Sequence, residues 1–132
     1  MHDIIITYTT MAEPDLYQKL DRTNEIELTV KGRKSGRDIP RPVWFVRKGK
    51  TLYLLPVNGS DTDWYKNMLV NPMLKLSLNG TEILSAKGRP ITNKNQVADV
   101  VRKFKSRYGE GEVKKYYTKF DVAVKVPLDR SG

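Results

Sequence analysis

The feature that most constrains the fold is a hairpin signal in the middle of the chain. Residues 74–78 alternate apolar and polar side chains, which predicts a strand with one buried face. Asn79-Gly80 follows directly, and this dipeptide is the strongest short-range signal for a two-residue hairpin turn. Residues 82–87 then supply the partner strand. Strands joined by so short a turn must be antiparallel, so antiparallel pairing organises the chain.

Further strands are expected on both sides of this hairpin. They cover residues 26–30, 40–46, 51–55 and 122–126. In the second of them, the continuous apolar run from Val43 to Val46 predicts a strand that is covered on both faces. Gly88-Arg89-Pro90 is expected to end the second strand of the central hairpin.

Helices are expected in the gaps between the strands. A short one covers residues 13–20, and a second is capped by Ser60 or Asp61 and runs to about Leu69. The longest is capped by Asn93 and ends at Gly109. Residues 110–117 favour one or two further helical turns.

In the second helix, spacing predicts a core-facing side. The residues that share this spacing are Trp64, Tyr65, Met68 and Leu69. Because strands dominate and do not alternate regularly with helices, the pattern favours a mainly β fold with α insertions: a small antiparallel barrel with flanking helices. We expect a single domain over residues 1–132, in which residues 1–23 form an N-terminal extension with a short helix.

Composition excludes several kinds of chemistry. The chain has no cysteine, and its single histidine, His2, lies near a terminus, so thiolate sites and histidine-based metal or acid–base sites are not expected. We find no nucleophile elbow, phosphate-binding Walker loop or dinucleotide fingerprint. An enzyme of this composition would need a cofactor to carry the reaction. The start of the chain is too short and too acidic for a secretory signal, which favours a cytoplasmic protein.

Charge favours an anionic partner. The formal net charge is +9, which suits nucleic acid, a membrane surface or a polyanionic small molecule. A basic, well-solvated surface without a partner is the alternative. The cations are densest in the segment from Lys31 to Arg37, which contains Gly32 and Gly36, with Arg41 just beyond. Such a turn can bind phosphate or carboxylate, although it can also be an ordinary solvated hairpin tip.

A second candidate lies where residues 56–60 lead from a strand into a helix. Gly59 permits close backbone approach, and a helix N-terminus favours anions or an electron-rich ring edge. An ordinary capped helix, with Asp61 and Asp63 near its positive end, is the alternative.

The aromatic residues divide into two groups. Trp44, Tyr53 and Trp64 are interpreted as core residues from their spacing. Tyr108 and the pair Tyr116-Tyr117 are better functional candidates, because they lie near loops in a basic region and a tyrosine hydroxyl can donate a proton.

These residues resemble a known family. The segment from Leu28 to Gly36 is similar to the Leu-Thr-x-x-Gly-Arg-Lys-(Ser/Thr)-Gly signature of the deazaflavin-dependent nitroreductases and quinone reductases. Gly59-Ser60, then Trp64-Tyr65-x-Asn67 and Asn71-Pro72, resemble its second signature in order and rough spacing. The resemblance implies a split β-barrel, the coenzyme F-420 and hydride transfer to an electrophilic acceptor such as a quinone or nitro compound.

The resemblance also implies residue roles. The basic turn would bind the phosphate and acidic tail of the coenzyme, residues 56–60 would lie along its ring, and Trp64 and Asn67 would support that loop. The cofactor-binding residues expected are Arg33, Lys34, Ser35, Gly36, Arg41, Pro42, Pro56, Val57, Asn58, Gly59, Ser60, Trp64 and Asn67. Tyr108 falls where the family places a substrate-side tyrosine, so it is the catalytic candidate.

Three departures from the family pattern leave alternatives open. Asn58 stands where lysine is common in the family, and Arg41 stands where asparagine is common. The loop between Gly59 and Trp64 is also shorter than in the family. FMN is the alternative cofactor, since related split barrels bind FMN or haem, but one phosphate would need fewer cations. The chain could also be a non-catalytic module that binds the coenzyme or single-stranded nucleic acid. Related barrels often pair through the sheet, so a homodimer is expected by analogy.

Overall fold

Two antiparallel sheets and four helices make up residues 13–128, the part of the chain that a computed structural model describes. His2 and the first half of the expected N-terminal extension lie outside the described residues. The strands are β1 (Ile26–Lys31), β2 (Asp38–Val43), β3 (Phe45–Lys48), β4 (Thr51–Leu54), β5 (Met73–Leu78), β6 (Thr81–Lys87), β7 (Arg89–Ile91) and β8 (Ala123–Pro127). The helices are α1 (Glu13–Asp21), α2 (Asp63–Val70), α3 (Lys94–Tyr108) and α4 (Glu110–Tyr116), and a 3-10 turn covers Gly59–Asp61.

Each sheet has four strands. Their orders are β2-β1-β5-β6 and β3-β4-β8-β7, and every pair is antiparallel. The two sheets are joined where the chain bends from β2 into β3 and from β6 into β7. The mainly β, antiparallel fold with flanking helices is therefore confirmed.

The structure at both bends differs from what the sequence predicted. The single strand over residues 40–46 was wrong, because β2 ends at Val43 and β3 begins at Phe45 in the other sheet. Trp44 sits at the bend and stacks on Tyr108, with ring centroids 4.3 Å apart. Gly88 likewise does not end the pairing, because the chain continues as β7. An added Cβ at Gly88 would lie 2.7 Å from Met68 Sδ, so this tight bend requires glycine.

The local signals at the hairpin and at α3 are confirmed. Asn79 and Gly80 have φ angles of 50° and 81°, the left-handed pair that a tight type I′ turn requires. Asn93 Oδ1 accepts a hydrogen bond from Gln96 N at 3.1 Å and caps α3. Gly109, with φ 98°, follows the last residue of that helix.

The start of α2 differs from the prediction. Ser60 and Asp61 belong to the 3-10 turn, and α2 begins at Asp63 after Thr62. The Thr62 side chain does not cap the helix, because its hydroxyl accepts a hydrogen bond from Asn58 N at 2.8 Å. Leu69 was also expected in the core, but it is 55% exposed, because α2 buries only one face against the barrel.

The core forms two clusters. The larger lies between the sheets and includes the fully buried Leu28, Phe45 and Leu76. The smaller lies under α3 and α4, around Phe104 and Val113. Fully burying each such side chain contributes about 1.5–3 kcal/mol, so the two clusters fix the scaffold that carries the loops between β1 and α2. Within residues 13–128, no helix is long and apolar enough to cross a membrane.

Candidate cofactor-binding site

Two neighbouring cavities lie where the turn after β1, strand β2 and the start of α2 meet. The basic cavity, of about 220 Å³, is lined by Gly32, Arg33, Lys34, Ser35, Ile39, Arg41, Asp63, Trp64 and Asn67. The aromatic cavity, of about 700 Å³, is lined by Glu25, Arg41, Pro42, Val43, Trp44, Leu55, Val57, Asn58, Asp61, Thr62, Asp63, Trp64, Tyr116 and Tyr117. The two share Arg41, Asp63 and Trp64 as a common wall, so one elongated ligand can reach both.

The basic turn (residues 31–37) is closed by its own backbone. Gly32 N donates to Arg37 O, and Gly36 N donates to Gly32 O, both at 2.8 Å. Gly36 has φ 71°, which favours glycine. Ser35 Oγ accepts a hydrogen bond from Arg37 N at 3.1 Å. The turn therefore holds its shape without a ligand.

Asn67 fixes this turn to α2. It is 4% exposed, and its Oδ1 accepts hydrogen bonds from Arg33 N at 3.0 Å and from Arg33 Nη1 at 2.7 Å. Arg33 Nη2 also lies 3.6 Å from Asp63 Oδ1. Asn67 was expected to support residues 56–60, but the carboxamide is bonded to the basic turn instead.

Other cations of the basic turn keep their charge available. The side chains of Lys34 and Arg37, and of Arg41 just beyond the turn, form no hydrogen bond or ion pair with any residue of the described range 13–128. Lys31 is different, because its Nζ lies 2.7 Å from Asp38 Oδ1. Lys34 and Arg41 both line the basic cavity, which therefore presents two uncompensated positive charges.

The glycine loop (residues 56–62) lines the aromatic cavity with only some of its residues. Val57, Asn58, Asp61 and Thr62 line that cavity, whereas Pro56, Gly59 and Ser60 line neither cavity. Asn58 Oδ1 accepts a hydrogen bond from Thr118 Oγ1 at 2.8 Å. Of the loop residues predicted to bind the cofactor, only Val57 and Asn58 therefore line a cavity.

Ser60 and Asp61 of this loop are held by residues 118–121, here called the clamp segment. Ser60 N donates to Asp121 Oδ1 at 2.9 Å, and Ser60 Oγ donates to Asp121 Oδ2. Lys119 Nζ lies 3.0 Å from Asp61 Oδ2. Burial acts to raise the pKa of Asp121, but the hydrogen bonds from Ser60 and the charge of Lys119 lower that pKa overall.

Aromatic rings form one side of the larger cavity. Trp44 meets Tyr116 edge to face at 5.3 Å and Tyr117 at 6.0 Å between ring centroids. Trp44 and Trp64 were interpreted as core residues; Trp64 is 7% exposed, yet both line the cavity. Tyr53 is half-buried and packs against the smaller core cluster.

Tyr108 lies away from both cavities. Its hydroxyl accepts a hydrogen bond from Phe45 N at 3.1 Å and lies 2.8 Å from the carbonyl oxygens of Asn24 and Phe45. Burial raises the pKa of Tyr108, although its hydrogen bond to Phe45 opposes the shift. This geometry favours support of Trp44 at the bend, and the catalytic role expected for Tyr108 stays a prediction.

Tyr117 has the properties that were expected of Tyr108. It lines the aromatic cavity, and its hydroxyl forms no hydrogen bond within the described part of the chain. Burial, with a smaller effect from Tyr108, raises the pKa of Tyr117 far above its ordinary value, so the hydroxyl stays protonated. The sequence marked Tyr116-Tyr117 but gave no means of choosing between these two and Tyr108.

Comparison with known families shows to which family this chain belongs. A family model described as "Uncharacterized protein conserved in bacteria (DUF2255)" matches residues 16–125. The chain belongs to the DUF2255 family. The match spans both cavities and the clamp segment. No protein with a curated description matches this DUF2255 chain.

Solved structures show which fold the DUF2255 chain adopts. An F-420-H2-dependent reductase (FDR-A) is 17% identical, with a TM-score of 0.59, over 78% of this chain and 93% of that chain. The haem storage protein HutZ from Vibrio cholerae is 15% identical, with a TM-score of 0.65, over 93% of each chain. A putative pyridoxamine 5'-phosphate oxidase from Listeria innocua is 15% identical, with a TM-score of 0.65, over 89% of this chain and 94% of that chain.

At these identities the likeness is one of fold. The DUF2255 chain has the split β-barrel that the sequence resemblance predicted. The same fold carries an F-420-H2-dependent reductase, a haem storage protein and a putative pyridoxamine 5'-phosphate oxidase, so the fold leaves the cofactor open.

Proposed function

We propose that this protein is a reductase that binds the deazaflavin coenzyme F-420 and transfers hydride from it to an electrophilic acceptor such as a quinone or nitro compound. The observation that carries the proposal is the shared wall between a small basic cavity and a larger aromatic one. A coenzyme with a flat ring at one end and a phosphate with carboxylates at the other matches that arrangement. Similarity of fold to an F-420-H2-dependent reductase supports it.

The basic cavity fits the anionic part. Lys34 and Arg41 have no described partner, so binding an anion there breaks no existing ion pair. The backbone N–H groups of Lys34 and Ser35 also have no acceptor among the described residues and are available to an oxyanion. Arg37, unpaired at the end of the turn, extends the positive surface toward an acidic tail.

The aromatic cavity fits the ring. Its volume of about 700 Å³ lies inside the range of about 300–1,000 Å³ that is usual for small-molecule sites. Trp44 and Trp64 offer flat apolar walls, while Val57 and Asn58 approach from the glycine loop. Rings of this kind favour stacking on a planar ligand.

The coenzyme would supply the hydride, and the protein would orient the two reactants and exclude water. Tyr117 is the residue best situated to donate a hydrogen bond to a bound ring or acceptor, because it lines the aromatic cavity and its hydroxyl has no partner among the described residues. Tyr108 acts indirectly, because its ring stacks on Trp44 and supports it.

FMN is the second candidate, and one observation favours it. Arg33 is partly neutralised by Asp63 and held by Asn67, which leaves fewer free cations than the sequence suggested. Lys34 and Arg41 alone suffice for a single phosphate. A nucleic-acid module is less favoured, because Glu25, which forms no ion pair among the described residues, lines the aromatic cavity and would repel a phosphate backbone.

A pair of titrations tests the cofactor. Both tryptophans of the chain line the aromatic cavity, so bound ring should quench their fluorescence. We expect saturable quenching by oxidised F-420 at micromolar concentration or below, and weaker quenching by FMN. The same preparation should then oxidise reduced F-420 when a quinone or nitro acceptor is added. Preference for FMN would move the proposal to ordinary flavin chemistry, and binding of neither would refute it.

Two tyrosine variants separate the proposed roles. Tyr117→Phe keeps the ring and removes the free hydroxyl, so we expect turnover to fall by about tenfold with little loss of stability. Tyr108→Phe breaks hydrogen bonds to the backbone, so we expect it to lower the free energy of unfolding by about 1–2 kcal/mol. If Tyr108→Phe folded with unchanged stability and lost turnover, the catalytic role would return to Tyr108. The homodimer stays a prediction, and sedimentation of the purified protein tests it.

A further inference from the structure

A third surface, away from the proposed cofactor site, combines projecting aliphatic side chains with unpaired cations. Leu69, Val70 and Met73 lie where α2 turns into β5, and they are 55%, 66% and 49% exposed. Three other large apolar residues are exposed: Val57 and Tyr116 line the aromatic cavity, and the Phe120 ring lies against that of Tyr117. Nothing in the proposed function uses the three at this corner.

A cavity of about 500 Å³ opens beside the corner. Its apolar lining includes Met68, Leu69 and Pro72, and its charged lining residues are Lys87, Arg89 and Lys125. Strand register brings these groups together, since Met73 pairs with Lys87 across β5 and β6, and Arg89 pairs with Lys125 across β7 and β8. It shares no lining residue with the basic or aromatic cavity.

The charges on this surface are of one sign. Among the described residues, no acidic side chain lines the cavity. The side chains of Lys87, Arg89 and Lys125 form no ion pair or hydrogen bond with another residue of the range 13–128. Three adjacent cations without a counter-charge favour an anionic partner.

We propose that this corner is a docking site for an anionic phospholipid surface. Leu69, Val70 and Met73 would enter the boundary between headgroups and acyl chains, while the three cations would contact phosphate groups around them. The two contributions reinforce one another, because insertion alone or charge alone gives only weak, reversible binding.

Other occupants of the corner are less favoured. A symmetric contact with a second copy would set the same three cations against each other, which is unfavourable. Stable protein interfaces are usually anchored by aromatic residues in well-packed pockets, whereas the projecting residues here are flexible aliphatic side chains. The acyl region of a bilayer accepts such side chains without a shaped pocket.

Co-sedimentation with vesicles tests the proposal on the full chain. We expect binding to phosphatidylcholine vesicles to rise as phosphatidylglycerol is added and to fall as salt is raised. The variant Lys87→Gln/Arg89→Gln/Lys125→Gln should lose on the order of 10- to 100-fold in partition coefficient. The variant Leu69→Gln/Val70→Gln/Met73→Gln keeps all charges and should lose about tenfold.

A matched control removes the same charge elsewhere. Lys48, Lys50 and Lys94 are exposed and unpaired among the described residues, so Lys48→Gln/Lys50→Gln/Lys94→Gln should bind nearly as well as the wild type. Equal losses in both charge variants would mean that net charge alone drives binding and would overturn the site. So would the absence of vesicle binding, or a change in oligomeric state of the corner variants measured by sedimentation without vesicles. Circular dichroism checks that every variant is folded.

Discussion

The basic turn and the glycine loop both place glycine beside a cavity, yet their polar groups are used in opposite ways. The basic turn closes on its own backbone and leaves Lys34 and Arg41 nearby without partners. In the glycine loop, Ser60 is bonded to Asp121, and Asp61 is paired with Lys119. The basic turn therefore has free positive charge that can bind a ligand, whereas the polar groups of the glycine loop are already bonded within the protein.

This difference indicates that the basic turn serves ligand binding and that the glycine loop serves the stability of the fold. A residue whose partners are already in the protein costs stability when it is changed, while a residue without partners costs mainly affinity. The glycine loop should therefore respond to mutation in its unfolding, and the basic turn in its ligand binding. The following changes test that difference, in order of decreasing effect on stability.

Gly59→Ala should have the largest effect. Gly59 has φ 54°, and an added Cβ would lie 2.1 Å from Asp121 Oδ1, so the change strains the backbone and disrupts the clamp. We expect a loss of about 2–4 kcal/mol in the free energy of unfolding, measured by urea denaturation. Gly36→Ala is the matched control, because Gly36 has φ 71° but open space around its Cβ position. Only the backbone strain of about 1 kcal/mol should appear there, and equal losses at both positions would contradict the clamp.

Asp121→Ala should have the next largest effect. It removes both acceptors of Ser60, and we expect unfolding free energy to fall by about 1–2 kcal/mol, reduced by the partial exposure of the site. Asp99→Ala is the comparison, because Asp99 forms only exposed pairs with Arg102 and Lys103 along α3. Thermal unfolding of the two variants should differ clearly, and a similar shift in both would show that the Ser60 bonds contribute little.

The clamp should also be sensitive to acid. The pKa of Asp121 is lowered in the folded protein from its ordinary value of 3.8, so the carboxylate stabilises the fold at pH values above 3.8. That contribution is lost as pH falls from 3.8 through the lower, folded-state pKa. The difference in stability between wild type and Asp121→Ala should therefore be constant near neutral pH and shrink in this acidic window. Other lowered carboxyl groups, such as Asp21, are present in both proteins and cancel in the difference. A difference that grew on acidification would have the wrong sign.

Lys34→Ala should have the smallest effect on stability. Lys34 is exposed and unpaired, so we expect the unfolding free energy to change by no more than about 0.5 kcal/mol. Affinity for the coenzyme should fall by about 10- to 100-fold if Lys34 contacts its phosphate. Lys50→Ala removes an exposed lysine outside both cavities and should leave affinity unchanged. A loss of stability without a loss of affinity would remove the basic turn from the site.

Local features of the fold could be predicted because their causes lie within a few residues. Asn79-Gly80 specifies its turn through its own backbone preference, and Asn93 caps α3 through a neighbour three positions away. The bend at Trp44 could not be predicted, since an apolar run looks the same whether the strand continues or changes sheet. Leu69 was misjudged for a related reason, because helical spacing does not say how wide the buried face is.

The candidate site was predictable where its residues are neighbours in the sequence as well as in the structure. Arg33, Lys34 and Ser35 lie together in one turn and line one cavity. Asp121 was missed because its partner Ser60 is 61 positions away, and no local pattern joins the two. Tyr108 was preferred to Tyr117 because nothing in the sequence reveals that backbone groups of Phe45 and Asn24 engage the Tyr108 hydroxyl.

The residues that line the aromatic cavity are far apart in the sequence, and this has a consequence for the synthesis of the protein. The cavity walls come from Glu25, from residues 41–64 and from Tyr116-Tyr117, and the clamp segment follows directly. A chain still emerging from the ribosome has the basic turn long before it has the residues that complete the cavity. A cofactor that needs both cavities would therefore bind only finished chains and would stabilise those selectively. The supply of cofactor would then influence how much of the newly made protein survives.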